Sequence, residues 1–168
     1  MYAEKYPPDH KPTRNISIGP TVERGLQAEV MFEKLLKGPF QEAFYFTDDI
    51  DNVSPELFQR KIVCRRATPQ EDRDQKFDFI FYFGSRDNFL KVDITTARKP
   101  GVISYKKRNE CNRNHEDYVI FFLNFGVLNN ASNGSVRAQD KILTELIQTF
   151  FNEGKLKYNQ NDGKYCLP

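Results

Sequence analysis

The chain has 168 residues, enough for one domain with a sizeable core, and its 39% apolar and 29% charged content with a net charge of +2 describes a water-facing protein. No run approaches the ~18–20 apolar residues of a membrane span. Three cysteines far apart and without CxxC spacing argue against a disulfide framework and a zinc site, and two histidines exclude a histidine-rich metal centre. The N-terminus has no apolar signal core, so an intracellular location, cytoplasmic or nuclear, is expected, with no membrane partner.

In chain order, residues 1–20 hold four prolines and no periodicity, and read as a flexible arm. Thr21 is expected to cap a helix from Val22 to Lys37, closed by Gly38-Pro39. Val22, Leu26, Val30 and Leu36 form its inward face, and Glu29 and Glu33 fall inside that arc. A carboxylate on a buried stripe requires a partner, either an Arg or Lys or, for Glu29, a site further along the chain. Phe40–Phe46 is a short strand candidate. Asp48–Asp51 is an acidic turn that lacks the glycine and terminal glutamate of an EF-hand. Ser54-Pro55 starts a helical turn, Lys61–Ala67 is a strand, and Thr68–Gln75 reads as a polar loop.

Lys76 to Lys99 is the most informative stretch. Phe77, Phe79, Phe81 and Phe83 alternate with Asp78, Ile80 and Tyr82, and Leu90, Val92 and Ile94 alternate with Phe89, Lys91, Asp93 and Thr95. This is period-2 strand patterning around the turn Gly84–Asn88. Pairing Phe83 with Asn88 sets Phe81 against Leu90, Phe79 against Val92 and Phe77 against Ile94. A one-residue slip without a bulge destroys that match. The same register sets Asp78 opposite Asp93, with Cβ atoms roughly 5 Å apart. Two carboxylates that close bind a cation or share a proton.

Downstream, residues 102–113 read as a helix. Arg98, Lys99, Lys106, Lys107, Arg108 and Arg113 cluster here, either as a solvated face or as a grip on phosphates. Tyr118–Phe125 is an apolar run suited to a buried strand. Asn129–Gly134 is a loop, and Ser135 caps a last helix, Val136–Asn152, with Leu143, Leu146, Ile147 and Phe150 inward. Residues 154–168 read as a loosely held polar tail. The expected organisation is one domain, 21–153, between the arm and the tail. Its fold class is α/β, a three-layer α/β/α sandwich with a central mixed β-sheet.

A helix with an inward glutamate (Arg24-Gly-Leu-Gln-Ala-Glu29-Val-Met-Phe-Glu-Lys-Leu-Leu36), a strand aspartate (Phe77-Asp78), a hairpin to Val92-Asp93-Ile-Thr95, a basic helix and a buried strand: this order resembles the PD-(D/E)xK nuclease superfamily over residues 21–151. The resemblance implies a restriction-endonuclease-like fold and Mg²⁺- or Mn²⁺-dependent hydrolysis of phosphodiester bonds in DNA or RNA. It further implies that Asp78 and Asp93 are metal ligands and catalytic carboxylates, and that Glu29 is an additional metal ligand. The family's lysine, two residues after the second acidic residue, is replaced by Thr95. Lys91, on the same strand face as Asp93, and Lys106, on the following helix, are the catalytic candidates for that charge. Arg98, Lys99, Lys106, Lys107, Arg108 and Arg113 are the candidate nucleic-acid contacts. The alternative is a catalytically inactive nuclease-like domain that binds nucleic acid or protein; a protein partner or a homodimer is compatible with either.

Overall fold

The computed structural model describes residues 20–96, 100–112 and 117–168. The expected arm up to residue 19, together with Arg98, Lys99 and Arg113, lies outside them. Helix α1 (Pro20–Lys37) opens the described chain, so Thr21 lies inside the helix rather than ahead of it. A proline suits the first turn because the N–H it lacks is unpaired there anyway. The buried stripe of α1 is Ala28, Phe32, Leu35 and Leu36, whereas the expected inward residues Leu26 and Val30 are 47% and 59% exposed. Phe32 decides the rotation. Its ring lies 5.3 Å from Phe79 and 6.1 Å from Phe121, and it buries more apolar area than either displaced aliphatic.

Strand β1 (Phe44–Phe46) is shorter than expected, because residues 40–43 turn on the bonds from Ala43 N–H and Phe44 N–H to the Phe40 carbonyl. Helix α2 (Pro55–Arg60) is capped by Ser54, whose Oγ accepts from Leu57 N–H, and strand β2 (Ile62–Arg66) follows. The expected polar loop 68–75 is instead helix α3 (Pro69–Gln75). Its start is a capping box: Thr68 Oγ1 accepts from Glu71 N–H at 3.2 Å, and the Glu71 carboxylate accepts from Thr68 N–H at 2.8 Å.

The hairpin is formed by β3 (Phe79–Tyr82) and β4 (Phe89–Thr95), in the expected register: Phe79 pairs with Val92, Phe81 with Leu90, and Phe83 N–H donates to the Asn88 carbonyl. Phe77 is buried on the opposite side from Phe79 and Ile94, so the expected pairing of Phe77 with Ile94 does not form: Asp78 N–H bonds the Val92 carbonyl, one residue off the register, and this offset breaks the alternation. Helix α4 (Pro100–Asn112) leads to β5 (Tyr118–Phe122), which ends before the expected Phe125. Asn124 caps a further helix, α5 (Phe125–Ser132), by accepting from Gly126 and Val127 N–H, so 129–134 is largely helical. Helix α6 (Val136–Asn152) is capped by Ser135 as expected, and buries Ile142, Leu146 and Phe150. The expected loose tail folds into a hairpin, β6 (Lys157–Asn159) and β7 (Lys164–Cys166), with Leu156 buried at its base.

The five-stranded mixed sheet runs β1-β2-β3-β4-β5. Strands β1 and β2 are parallel, β3 is antiparallel to both neighbours, and β4 and β5 are parallel. Alternate strand residues serve two clusters. Cys64, Phe79, Phe81, Leu90, Val92 and Phe121 pack with α1, α5 and α6 residues, while Val63, Ile80, Tyr82, Tyr118 and Ile120 pack with Phe58 of α2. Among the described residues no helix is long and apolar enough to cross a membrane.

Candidate active site

The β3–β4 ladder ends at the pair Phe79–Val92, and Asp78 and Asp93 are the next residue along each chain, close together though not a ladder pair. Asp78 N–H donates to the Val92 carbonyl at 2.9 Å, although Val92 is the residue that Phe79 opposes, so two residues of this strand face one of β4 and the ladder ends in a bulge at Asp78. The side chain is fixed as well: Asp78 Oδ2 accepts from Ile94 N–H at 2.6 Å. Burial first, then the charges of Asp93 and Glu29, push the Asp78 carboxyl up to about 8, against the Ile94 amide and the Lys106 ammonium. The two aspartates and the helix glutamate therefore sense one another's charge.

Lys106 supplies the opposing charge. Its Nζ donates to both oxygens of Asp93, at 3.0 and 2.9 Å, and Tyr118 Oη donates to Asp93 Oδ2 at 3.2 Å. One bond explains why α4 delivers a lysine there. Glu110, one turn further along the same helix face, accepts from Ile120 N–H at 3.0 Å. Ile120 is the β5 residue paired with Asp93. Glu110 thus pins α4 to the sheet edge opposite Asp93, and Lys106 falls on the carboxylate.

Lys91 does not join this group. Its ammonium donates to Gln75 Oε1 at 2.8 Å and lies over the rings of Phe77 and Phe89. Thr95 is buried and pairs with Phe122 of β5. Glu29 takes the first of its two expected partners, a base. It forms an ion pair with Arg66, which also reaches Glu33 at 3.3 Å, and it contributes to the electrostatics of Asp78. Burial pushes the Glu29 carboxyl up, Arg66 opposes this, and Asp72 and Asp93 add to the rise. Lys107 and Arg108 are exposed on α4, with the Lys107 ammonium 6.0 Å from the Phe122 ring centroid.

Arg66, Tyr118 and Glu110 are the site residues that sequence reasoning missed. Each acts across an element boundary whose register no local pattern reveals. Only Tyr118 left a trace, as a hydroxyl on the strand face that Ile120 shares. Among the described residues, no three His, Cys, Asp or Glu side chains are grouped so as to hold a metal ion. The donors present are two carboxylates, with Glu29 held by Arg66. No family model matches the chain, and no curated protein or solved structure matches it either.

Proposed function

We propose that this chain is a metal-dependent nuclease that hydrolyses phosphodiester bonds in DNA or RNA, built on a restriction-endonuclease-like three-layer α/β/α fold. The observation that carries the reading is the convergence of Asp78, Asp93 and a lysine from the following helix at one end of β3 and β4. The run α1, β2, β3, β4, α4, β5 supports it, being the order of helix, strands, basic helix and strand that the sequence resemblance rests on.

The donor chemistry suits Mg²⁺ or Mn²⁺, hard cations commonly held by one or two carboxylates with waters and substrate phosphate oxygens completing the shell. Asp78 and Asp93 would hold the ion, and Glu29 would add negative potential from α1. Such an ion would supply Lewis acidity toward a phosphate oxygen and help generate the attacking hydroxide. The chain's own groups do the rest. The Ile94 amide fixes the Asp78 carboxylate, and the Tyr118 hydroxyl orients that of Asp93. Lys106 provides the positive charge that Thr95 does not, for the negative charge developing on the phosphate. Lys107 and Arg108 grip flanking phosphates.

The hold of Lys106 on Asp93 favours a second reading, a nucleic-acid-binding domain that needs no metal. Cleavage of plasmid, single-stranded DNA and RNA in Mn²⁺ separates the two. The nuclease reading expects metal-dependent products that fall by about 10²–10³-fold in Lys106→Ala, the size of a lost electrostatic stabiliser, and vanish in Asp93→Ala. Binding that is salt-dependent, indifferent to metal and free of cleavage supports the second reading instead.

A further inference from the structure

We propose that Lys106 is the resident counter-ion of this site, which a divalent cation must displace from Asp93, and that Glu110 is the positioning residue that sets how firmly Lys106 resists. The inference rests on the cation site of the reading above, but not on its being catalytic. Asp93 has both oxygens engaged by the Lys106 ammonium and takes a further donor from Tyr118. A Mg²⁺ ion ligated by Asp93 needs an oxygen lone pair at about 2.0–2.1 Å. An ammonium 2.9 Å from the same carboxylate stands against that approach, since two cations on one carboxylate repel.

The acids around the site are Glu29, Glu33, Asp78 and Asp93, and the bases set against them include Arg66 and Lys106. Arg66 is held by two glutamates of α1, so Lys106 is the base free to move. Its release carries a positive charge from a ligand carboxylate toward the substrate's phosphate. Glu110 governs the release because its bond to Ile120 N–H fixes the helix turn from which Lys106 reaches. The same bond occupies an outward N–H of β5, the last strand of the sheet.

Mn²⁺ titration by calorimetry on the full chain tests this. Lys106→Met is expected to bind Mn²⁺ about tenfold tighter than the wild type, by removal of one nearby like charge, while losing any cleavage. Glu110→Ala shifts affinity in the same direction, and Glu110→Gln, which keeps an amide oxygen for Ile120, returns to the wild-type value. Lys106→Gln serves where the methionine variant melts early, with a thermal melt of each variant as the folding control. Unchanged or weaker Mn²⁺ binding in folded Lys106 variants overturns the proposal, as does the absence of Mn²⁺ binding in every variant. The predicted order of affinities without cleavage by the wild type leaves this inference standing and removes the nuclease reading alone.

Discussion

Asp78 is the residue whose protonation the site controls most strongly. Its carboxyl is raised to about 8, so between the usual carboxylate range and that value the folded state binds more protons than the unfolded chain. The contribution is therefore fully present below about pH 4 and is lost as pH rises through about 8. Asp78→Asn removes the titration while keeping an acceptor for the Ile94 amide. In metal-free buffer its melting temperature is expected to gain on the wild type steadily from pH 4 to pH 9. A difference that does not change with pH would show that neither burial nor the neighbouring charges raise the Asp78 carboxyl. Glu71 behaves oppositely. Its bidentate pair with Arg65, both contacts at 2.8 Å, is the main cause that lowers its carboxyl to about 2, against some burial. The associated stability is present above the usual carboxylate range and is lost as pH falls toward about 2. Acid unfolding of Glu71→Gln is thus expected to show a shallower slope across that window than the wild type.

At the scale of elements, Arg66 joins the end of β2 to α1 through Glu29 and Glu33. The arginine is partly exposed, so solvent screens the pair, and Arg66→Ala is expected to cost about 1–2 kcal/mol in urea unfolding. Restoring much of that loss in Arg66→Ala/Glu29→Gln would identify the unpaired glutamate, rather than lost packing, as the cause. How far these elements were readable follows from where their signals sit. The β3–β4 register was legible because two apolar stripes must meet, and α6 because a serine precedes a clean helical stripe. Thr68-Pro69-Gln70-Glu71 carried a complete capping box inside a segment so polar that it reads as a loop, and α3 was missed for want of any apolar residue. Asn124 hid a helix start within a continuous apolar run. On α1 the sequence spacing points to the wrong stripe, since Leu26 and Val30 are helically spaced and only the size of Phe32 decides against them. The acid pair was visible in the sequence, while its lysine was one of two candidates until the bond between Glu110 and β5 fixed the helix.

Across the whole molecule, one aromatic-rich core carries the site. The ring of Phe81 lies 5.8 Å from Phe44 and 4.9 Å from Phe150, linking two strands of the sheet to α6. The terminal hairpin closes the same core: Leu156 is buried, and Lys155 ties its base to Asp117 and Asn88. Leu156→Ala is accordingly expected to cost about 2–4 kcal/mol, as a buried leucine does. A tail held loosely would give no change in denaturant midpoint.

The claim that joins these scales is that Asp78 and Asp93 form a cation site guarded by Lys106. Crystals soaked in Mn²⁺ test it most directly through anomalous scattering. A peak between the two carboxylates is expected, with the Lys106 ammonium moved off Asp93. A map with no peak there and Lys106 still bonded to both Asp93 oxygens would contradict it.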